Sequence, residues 1–430
     1  MLVLAIFGVL VLLILLGMPI AVAMGLTAIG FFVGLDEAQM LGATAQRMYA
    51  AVTSFPLLAI PFFLLAGNLM NTGGMTTRLF AFARALLGHI RGGLAHVSVL
   101  ASMIFAGVTG AALAEAMGLG KIEIKAMEDG GFDPGFAAAV TAASSTIGPV
   151  IPPSIPLVIY GALAETSVGA LFLGGFIPGV MMGIAIMIII YVIATRRVYP
   201  REARASLAVV GRTLVDGFAG LLAPVIIMGG ILGGIFTPTE AGVAGSLYAL
   251  LVGAFVYREL DWRQLRQILW ETIDQTVRVM FIIAAAGLFG WLLIYLRAPD
   301  TVVYAMTGLA SEPWQVLLIL NVILLVLGCF MEGIAIMLLT VPMFLPLLAK
   351  FGISPLHFGV VMTLNLMIGL LTPPVGMVLY AMATISGVSI GRLVRELVPF
   401  IIALAVVLFL ITYVPSLVTW LPSRFFPGVR

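Results

Sequence analysis

Two stretches of the sequence combine hydroxyl or amide side chains with glycine and a pair of adjacent prolines. The first, residues 144–153, reads SSTIGPVIPP, and the second, residues 365–374, reads NLMIGLLTPP. Hydroxyl groups, amide groups and the carbonyls that a helix break frees can coordinate a cation, and the amides at a helix N-terminus attract an anion. The two stretches are therefore candidates for binding a cation together with an anionic solute.

An internal repeat relates the two stretches. The segment Gly131-Phe132-Asp133-Pro134 lines up with Gly352-Ile353-Ser354-Pro355, an offset in numbering of 352 − 131 = 221, and Pro152-Pro153 lines up with Pro373-Pro374 at the same offset. Further matches follow at this offset or one position beyond it. Hydrophobic segments that glycine and proline interrupt at corresponding positions of two halves are typical of the binding site of a secondary transporter.

An acidic residue lies among apolar residues ahead of each stretch. The first of these segments runs from Thr109-Gly110 to Glu115, and the second runs from Gly328 to Glu332. Ionisable residues inside a membrane are by default candidates for function. Glu115 and Glu332 are therefore expected to contact the ion or the substrate, at corresponding positions of the two copies. The alternative is that each only caps a helix or lies at the membrane interface.

The composition indicates that these stretches are held by membrane helices. Hydrophobic residues make up 62% of the 430 residues and charged residues 9%, against about 25% charged residues in soluble domains. Apolar runs long enough to cross a bilayer, which takes about 20 residues each, recur from end to end. No region is left for a soluble catalytic domain, and a net charge of +2 does not favour nucleic acid as a partner.

Broken backbone cannot face lipid, because each unpaired amide or carbonyl there costs several kcal/mol. A single Pro-Pro pair would more often mark a loop, but its duplication favours a re-entrant hairpin in each copy. We predict an all-α polytopic membrane protein of one transport domain, residues 1–430, with two internal repeats that each contain a re-entrant helical hairpin. Its first repeat covers about residues 1–200 with a hairpin at about 134–170, and its second covers about 214–430 with a hairpin at about 355–390.

Arginine marks one side of the membrane. Clusters occur at residues 196–212, at residues 258–266 and at residues 78–91. Cytoplasmic connections carry an excess of basic residues, so all three are expected to face the cytoplasm.

The residues that carry a family resemblance are the stretch from Phe136 to Tyr160, the stretch from Asn365 to Gly376 and the segments at residues 16–20 and 67–71. Together they resemble the large membrane subunit of tripartite ATP-independent periplasmic (TRAP) transporters, the DctM-like family, over essentially the whole chain. The resemblance implies a sodium-coupled importer in the bacterial inner membrane with an elevator-like moving domain. It also implies two partners: a small membrane subunit of four helices and a periplasmic binding protein that delivers an organic acid, such as a C4-dicarboxylate or sialic acid.

The resemblance also places sodium and substrate near the hairpin tips and the unwound segments beside them. Apart from sodium as the coupling ion, it implies no cofactor. The candidate residues are Thr109, Gly110, Glu115, Ser144, Ser145, Thr146, Gly148, Pro149, Pro152, Gly328, Glu332, Asn365, Gly369, Thr372 and Pro373. The alternative for residues 144–146 is a helix face of small residues used for packing.

The chain departs from the family pattern at one place. The family commonly has Ser-Gly-Ser-Ser where this chain has Thr109-Gly110-Ala111-Ala112. Two hydroxyl groups are therefore missing, and a sodium site there would have to rely on Thr109, backbone carbonyls or Glu115.

Other functions remain open at this stage. A carrier or antiporter that acts without a binding protein would share the repeats, and a passive channel is a further alternative. An intramembrane enzyme would need a catalytic constellation on facing helices, and the sequence shows no such motif. The chain is therefore not expected to be an enzyme.

Overall fold

The structure is a computed structural model that describes residues 2–110, 112–426 and 428, and the side chains of these residues apart from those at 107–109 and 114. All regular elements in this part of the chain are helices, so the predicted all-α fold is confirmed. The α-helices are α1 (Leu2–Leu15), α2 (Ile20–Gly34), α3 (Thr44–Val52), α4 (Ala59–Thr72), α5 (Met75–Leu87), α6 (Gly93–Thr109), α7 (Ala112–Gly118), α8 (Gly120–Asp129), α9 (Pro134–Ser145), α10 (Ile155–Leu163), α11 (Val168–Arg197), α12 (Leu207–Leu232), α13 (Pro238–Leu251), α14 (Trp262–Tyr295), α15 (Ala298–Leu309), α16 (Pro313–Gly328), α17 (Gly333–Lys350), α18 (Pro355–Gly369), α19 (Met377–Ser386), α20 (Ile390–Tyr413) and α21 (Ser416–Phe425).

Several helices are suited to cross a membrane. In the described residues, seven are long and apolar enough to do so, and they are Phe55–Thr72, Val168–Arg197, Leu207–Leu232, Pro238–Val256, Trp262–Tyr295, Gly333–Lys350 and Ile390–Tyr413. The chain is therefore a multi-pass membrane protein.

The helices of the two expected hairpins are too short to span. Helices α9 and α10 contain 12 and 9 residues, and α18 and α19 contain 15 and 10. At about 1.5 Å per residue none of them reaches across about 30 Å of hydrocarbon, as a re-entrant hairpin requires. We call α9, α10 and their connection hairpin 1, and α18, α19 and their connection hairpin 2.

Local sequence explains where the hairpin helices begin. The Asp133 carboxylate accepts a hydrogen bond from the Phe136 amide at 3.0 Å, and Pro134 takes the first helical position, where it needs no donor. Ser354 and Pro355 occupy the same positions ahead of α18. A capping side chain followed by proline is a strong helix start, so both copies begin their hairpins in the same way.

The helix bounds recur at the interval of the sequence repeat. Helices α7 and α8 together cover residues 112–129 and α17 covers residues 333–350, so both ends differ by 221, since 333 − 112 = 221 and 350 − 129 = 221. The starts of α9 and α18 differ by 355 − 134 = 221. The division into two repeats stays a prediction, and these bounds favour it.

Contacts between the helices follow a reciprocal pattern. Helix α4 packs on α13 as α14 packs on α2, and α10 packs on α17 as α19 packs on α7. Likewise α9 packs on α20 as α18 packs on α11. Such reciprocal contacts are those of two copies related by a two-fold axis, so each hairpin packs against helices of the other half.

Tyr160 joins the two hairpins directly. This fully buried residue of α10 donates its hydroxyl hydrogen to the carbonyl of Pro355, at the start of α18, at 2.7 Å. Its ring fills the space beside Gly359, where a Cβ atom would meet the ring carbons. Glycine at this position therefore lets α18 approach α10.

Two ion pairs hold arginine-rich connections together. Arg84 binds Glu202 at 2.6 Å, and Arg78 binds Glu259 at 2.6 Å. Exposed pairs of this kind contribute at most about 1 kcal/mol each. Their main effect is on position: they hold the three arginine-rich connections on one face of the molecule, as the positive-inside pattern requires.

We predict that Tyr160→Phe lowers the free energy of unfolding by about 1 kcal/mol, because the hydrogen bond from Tyr160 to the half-buried Pro355 carbonyl is lost. Tyr160→Ala should cost about 3–5 kcal/mol through the cavity that it leaves. Thermal unfolding of the purified protein measures both effects. Tyr304→Phe is the control, since Tyr304 is 83% exposed. A Tyr160→Phe variant as stable as the parent would contradict the proposed link between the hairpins.

Candidate functional site

A cavity of about 120 Å³ lies between the two helix breaks. Both halves of the chain line it, and the wall is mainly apolar. Its lining residues include Gly110, Pro149 and Pro156 from the first half and Glu332, Thr363 and Met367 from the second. The structure therefore brings the two broken regions to one place, as expected of a transporter binding site.

The first break is packed against hairpin 1. Gly110 ends α6 with φ +57°, and a Cβ atom there would lie 2.8 Å from the Pro153 carbonyl oxygen and 3.0 Å from the Ile155 amide nitrogen. Glycine tolerates both the left-handed backbone and the close approach. Ser154 completes the contact by capping α10 and donating to the Pro149 carbonyl. The side chain of Thr109 and the whole of Ala111 lie outside the described residues.

The second break is closed by hairpin 2. Between α16 and α17 the backbone leaves the helix at residues 329–332, and the Cys329 carbonyl accepts a hydrogen bond from the Val375 amide at 3.0 Å. Gly369 lies directly on Gly328, where a Cβ atom on Gly369 would come within 2.7 Å of the Gly328 α-carbon. The free backbone groups of the break are thus met by the tip of the hairpin.

Glu332 both caps α17 and lines the cavity. Its carboxylate accepts the Ala335 amide at 3.2 Å, so the capping alternative holds for this residue. Among the described residues no basic side chain forms an ion pair with it. A carboxylate in an apolar wall needs a cation or a proton to offset its charge, and this makes Glu332 the candidate ion ligand of the cavity.

The expected correspondence between Glu115 and Glu332 is wrong. The numbers of the two acids differ by 332 − 115 = 217, whereas the starts of the helices that carry them differ by 333 − 112 = 221. Glu332 therefore precedes its helix, while Glu115 lies one turn inside α7 and corresponds to Ile336. The counterpart of Glu332 is Ala111. The sequence suggested that Glu115 and Glu332 correspond because their spacing differs from the repeat offset by only four positions, about one helical turn.

Glu115 contacts the tip of hairpin 1 rather than the cavity. Its side chain is buried, 3% exposed, and a Cβ atom on Gly148 would lie 2.6 Å from its Oε2 atom. The carboxyl group thus lies against the backbone of the hairpin connection. Because the tip and the helix break meet here, Glu115 can affect the position of the tip.

The three hydroxyl residues of hairpin 1 that the sequence predicts for the site are buried, and their hydroxyl groups bond the carbonyls of their own helix. Ser144, Ser145 and Thr146 donate to the carbonyls of residues 141, 142 and 143 at 3.1, 2.9 and 2.6 Å. None of the three lines the cavity. This geometry agrees with the packing alternative, although each oxygen keeps lone pairs that a cation could use.

Asn365 belongs to a polar network between helices. Its amide donates to the Asn321 carbonyl oxygen at 3.0 Å and to the Asn321 side-chain oxygen at 2.7 Å, and Asn321 donates in turn to Thr412 at 3.1 Å. The network ties α18 to α16 and α20. Asn365 precedes Leu366, which lines the cavity, but does not line the cavity itself.

The two hairpin tips differ in exposure. Pro152 is buried, whereas Pro373 is exposed and Thr372, half-buried, donates to the Ile368 carbonyl at 2.8 Å. The tip of hairpin 1 is therefore enclosed by the protein, while the tip of hairpin 2 faces outward. Of the predicted site residues, Gly110, Pro149 and Glu332 line the cavity, and the other described ones do not.

Two charged residues that the sequence motifs do not include have positions of functional interest: one lines a second cavity and the other is buried. Arg47 lines a second cavity, of about 300 Å³, between α3 and α14 on one side and α10 and α17 on the other, with its guanidinium 4.9 Å from the centre of the Trp291 ring. Glu123 is buried beside Ser98. The spacing of eight positions between Glu115 and Glu123, about two helical turns, is the signal that could have revealed the second acid.

The sequence matches a family model over residues 7–417, described as the DctM component of tripartite ATP-independent periplasmic transporters. It is 43% identical over 409 residues to the sialic acid TRAP transporter large permease protein SiaM of Vibrio cholerae, covering 95% of this chain and 96% of that protein. It is 41% identical over 379 residues to the C4-dicarboxylate TRAP transporter large permease protein DctM of Pseudomonas aeruginosa, covering 88% and 89%. These relatives are named as transporter permeases, not as enzymes.

A longer relative is the sialic acid TRAP transporter permease protein SiaT of Haemophilus influenzae, which is 39% identical over 411 residues; the match covers 96% of this chain and 67% of that protein. Two solved structures share the fold. The YdaH transporter of Alcanivorax borkumensis has a TM-score of 0.58 at 15% identity over 90% of each chain. MtrF of Neisseria gonorrhoeae, described with a class of antimetabolite efflux pumps, has a TM-score of 0.61 at 12% identity over 89% of this chain and 85% of that one. At these identities the likeness concerns the fold alone.

We predict that Gly369→Ala lowers the free energy of unfolding by about 1–3 kcal/mol, because its methyl group overlaps the Gly328 backbone, which cannot move aside as a flexible side chain can. The melting temperature of the purified protein measures this. Gly229→Ala is the matched control in α12, where a Cβ atom has nothing within 4 Å. It should leave stability unchanged or raise it by up to about 1 kcal/mol. Equal behaviour of the two variants would contradict the close contact of the break with hairpin 2.

Proposed function

This chain belongs to the DctM family of tripartite ATP-independent periplasmic (TRAP) transporters and is a large permease subunit, and we propose that it imports an organic acid with sodium across the bacterial inner membrane. In this proposal a periplasmic binding protein delivers the acid, and a small membrane subunit of four helices completes the permease. The acid is a carboxylate of the kind that the relatives are named for, sialic acid or a C4-dicarboxylate.

The observation that carries the proposal is the cavity between the two breaks. A secondary carrier must hold a cation and an anion near one another, and a carboxylate beside broken helix ends can do this. Glu332 supplies negative charge for sodium, and the N-terminal end of α10, where Ile155 and Pro156 line the same cavity, presents its positive dipole end to the acid. Sodium and substrate would then stabilise one another by charge.

Arg47 supports the anionic nature of the substrate. Helix α14 begins beside the arginine-rich connection at residues 258–266, which the positive-inside pattern assigns to the cytoplasm, and reaches Trp291 near its opposite end. The Arg47 cavity therefore opens toward the periplasmic side. In the described part of the chain Arg47 has no ion pair, so its charge is available to a carboxylate that arrives from the binding protein.

The same cavity supports movement of the hairpins as a block. It separates α3 and α14 from α10 and α17, and its wall is mostly made of apolar residues and small ones such as Ala51, Ala162 and Gly287. Surfaces of this kind can slide without breaking hydrogen bonds. We propose that the hairpins with α7, α8 and α17 form the moving body and that α2, α4, α13 and α14 form the scaffold, as in an elevator mechanism.

The length of one relative supports the small membrane subunit as a partner. This chain matches 67% of SiaT, so about a third of that permease has no counterpart here. In the proposal, a separate small subunit fulfils the role of that remaining third. An isethionate permease named DctMQ shows the same relation, since the match covers 65% of its length.

We expect uptake to require an inward sodium gradient. The test uses liposomes with this chain and its small subunit, the binding protein outside, and labelled sialic acid or labelled succinate as the substrate. Replacing external sodium by choline should reduce uptake to the level of empty liposomes. Equal uptake in sodium and choline would refute the coupling, and uptake without the binding protein would indicate a carrier that acts alone.

We also expect Glu332→Gln to reduce sodium-driven uptake at least about tenfold, which corresponds to about 1.4 kcal/mol of lost ion binding. Glutamine can still accept the Ala335 amide, so stability should change by less than about 1 kcal/mol. Glu312→Gln is the matched control, because Glu312 precedes α16 in the same N-terminal position but is exposed. Its uptake should equal that of the parent. Normal uptake by Glu332→Gln would move the ion site away from the cavity.

A further inference from the structure

Helix α14 exposes an apolar face near its start. A shallow groove of about 240 Å³ runs along this face, and its lining residues are Trp262, Leu265, Arg266, Leu269, Trp270 and Ile273. Trp262 is 80% exposed and Trp270 is 63% exposed. Large apolar side chains gathered on one exposed face mark a contact with lipid or with another chain. We refer to these six residues as the α14 groove.

A contact with α4 fixes the level of the α14 groove in the membrane. Helix α4 belongs to the apolar segment Phe55–Thr72, which is long enough to cross the bilayer once and ends shortly before the arginine cluster at residues 78–91. Asn68, about one turn before that end, donates to the Thr272 hydroxyl at 3.0 Å. The start of α14 therefore lies where the hydrocarbon meets the headgroups, which is the depth at which tryptophan is enriched.

The basic residues around the α14 groove are exposed. Arg266 lies four positions after Trp262 and four before Trp270, about one helical turn on either side. Arg263 lies in the same first turn of α14, and Arg258 lies in the connection ahead of it. None of these three arginines forms an ion pair with another residue that the structure describes. Basic clusters beside a membrane helix attract anionic lipid.

The acidic residues of α14 and its cap do not neutralise this charge. Asp261 caps the helix by accepting a backbone amide at 2.7 Å. Glu271 accepts a hydrogen bond from Gln267 at 2.8 Å, and Asp274 pairs with Arg278 at 2.9 Å. None of the three acids lines the α14 groove. The only charge in the lining of the groove is therefore positive.

We propose that the α14 groove binds an anionic phospholipid, with the phosphate on Arg266 and an acyl chain along the apolar residues. A guanidinium group can donate two parallel hydrogen bonds to a phosphate group. From Arg266 the helix runs into the membrane, and Ile273, Val277 and Phe281 follow at intervals of four positions, all exposed. Headgroup and chain of one lipid thus meet a basic end and an apolar stripe of the same helix.

The position of Arg266 favours an anionic lipid over a zwitterionic one. Two tryptophan rings can hold a choline group by themselves, but a guanidinium group between them repels it. A lipid with net negative charge is also attracted by Arg263 and Arg258. A helix of a protein partner would have to bring an acidic side chain to this depth. The site is independent of the proposed transport function, because α14 groove residues line neither cavity.

Quenching of tryptophan fluorescence by brominated lipids tests the proposal. The purified full chain is placed in phosphatidylcholine vesicles with increasing fractions of phosphatidylglycerol or of phosphatidylcholine, each carrying brominated acyl chains. Half-maximal quenching should need about fivefold less phosphatidylglycerol, since one arginine contributes roughly this factor at a membrane surface. Replacement of both Trp262 and Trp270 by phenylalanine should remove the difference, because the other tryptophans lie outside the α14 groove.

Substitutions of Arg266 separate its charge from its shape. Arg266→Gln should reduce the preference to less than about twofold, whereas Arg266→Lys should keep most of it, because the charge remains. Arg212→Gln is the matched control. Arg212 is exposed and forms no ion pair with the described residues, but it lies in α12, which contains no tryptophan. Its preference should equal that of the parent.

Three results would overturn the proposal. The first is equal quenching by the two lipids in the parent, or an unchanged preference in folded Arg266→Gln. The second is reversal of the quenching by soluble glycerol 3-phosphate, which would show a site for phosphate alone; the lipid should stay bound, because it also contacts the apolar residues. The third is loss of the preference when the small membrane subunit is added, which would assign the groove to that partner.

Discussion

The rest of the structure depends on one constraint: backbone that leaves the helix inside the hydrocarbon must find its hydrogen-bond partners within the protein. Helices α6 and α16 both end at a backbone break, at Gly110 and Gly328 respectively. Each break is covered by the connection of a hairpin, through the close approach of Gly110 to Pro153 and the bond from Val375 to the Cys329 carbonyl. The hairpins supply hydrogen-bond partners and close packing for the breaks. The cavity lies where the two breaks and the two hairpins meet.

The reciprocal packing of the two halves follows from this constraint. A break covered only by its own half would leave the outer side of the hairpin exposed to lipid. Here α10 packs on α17 and α19 packs on α7, so each hairpin is covered by the other copy. Tyr160, bonded to Pro355 across the boundary, shows how tight this contact is. Such an arrangement moves as a unit or not at all, which fits a proposal in which both hairpins travel together.

Local signals in the sequence sufficed for the elements, because helix starts and breaks depend on nearby residues. The repeated segments at residues 131–134 and 352–355 and the paired prolines predicted the hairpins. Contacts between side chains of different helices could not be predicted in the same way, because they depend on residues far apart in the sequence. Residues 144–146 bond the carbonyls of their own helix. The prediction that Glu115 and Glu332 occupy corresponding positions was wrong. A shift of four residues keeps a side chain on nearly the same face of a helix, although it moves the residue from the cap position into the helix.

The two halves share a fold but differ in charge, and this difference has a physical reason. A site that holds a cation and an anion cannot be symmetric, since the two ligands need opposite surroundings. The second half places Glu332 at the start of α17, directly on the cavity, where it favours the cation. The first half has alanines in the matching segment and withdraws its acid one turn deeper, behind Gly148. In the proposed site, the N-terminal end of α10, where Ile155 and Pro156 line the cavity, presents its positive dipole end to the anion on the hairpin 1 side. In the proposed transport cycle, this displacement of one acid by one helical turn suits the two breaks to different ligands.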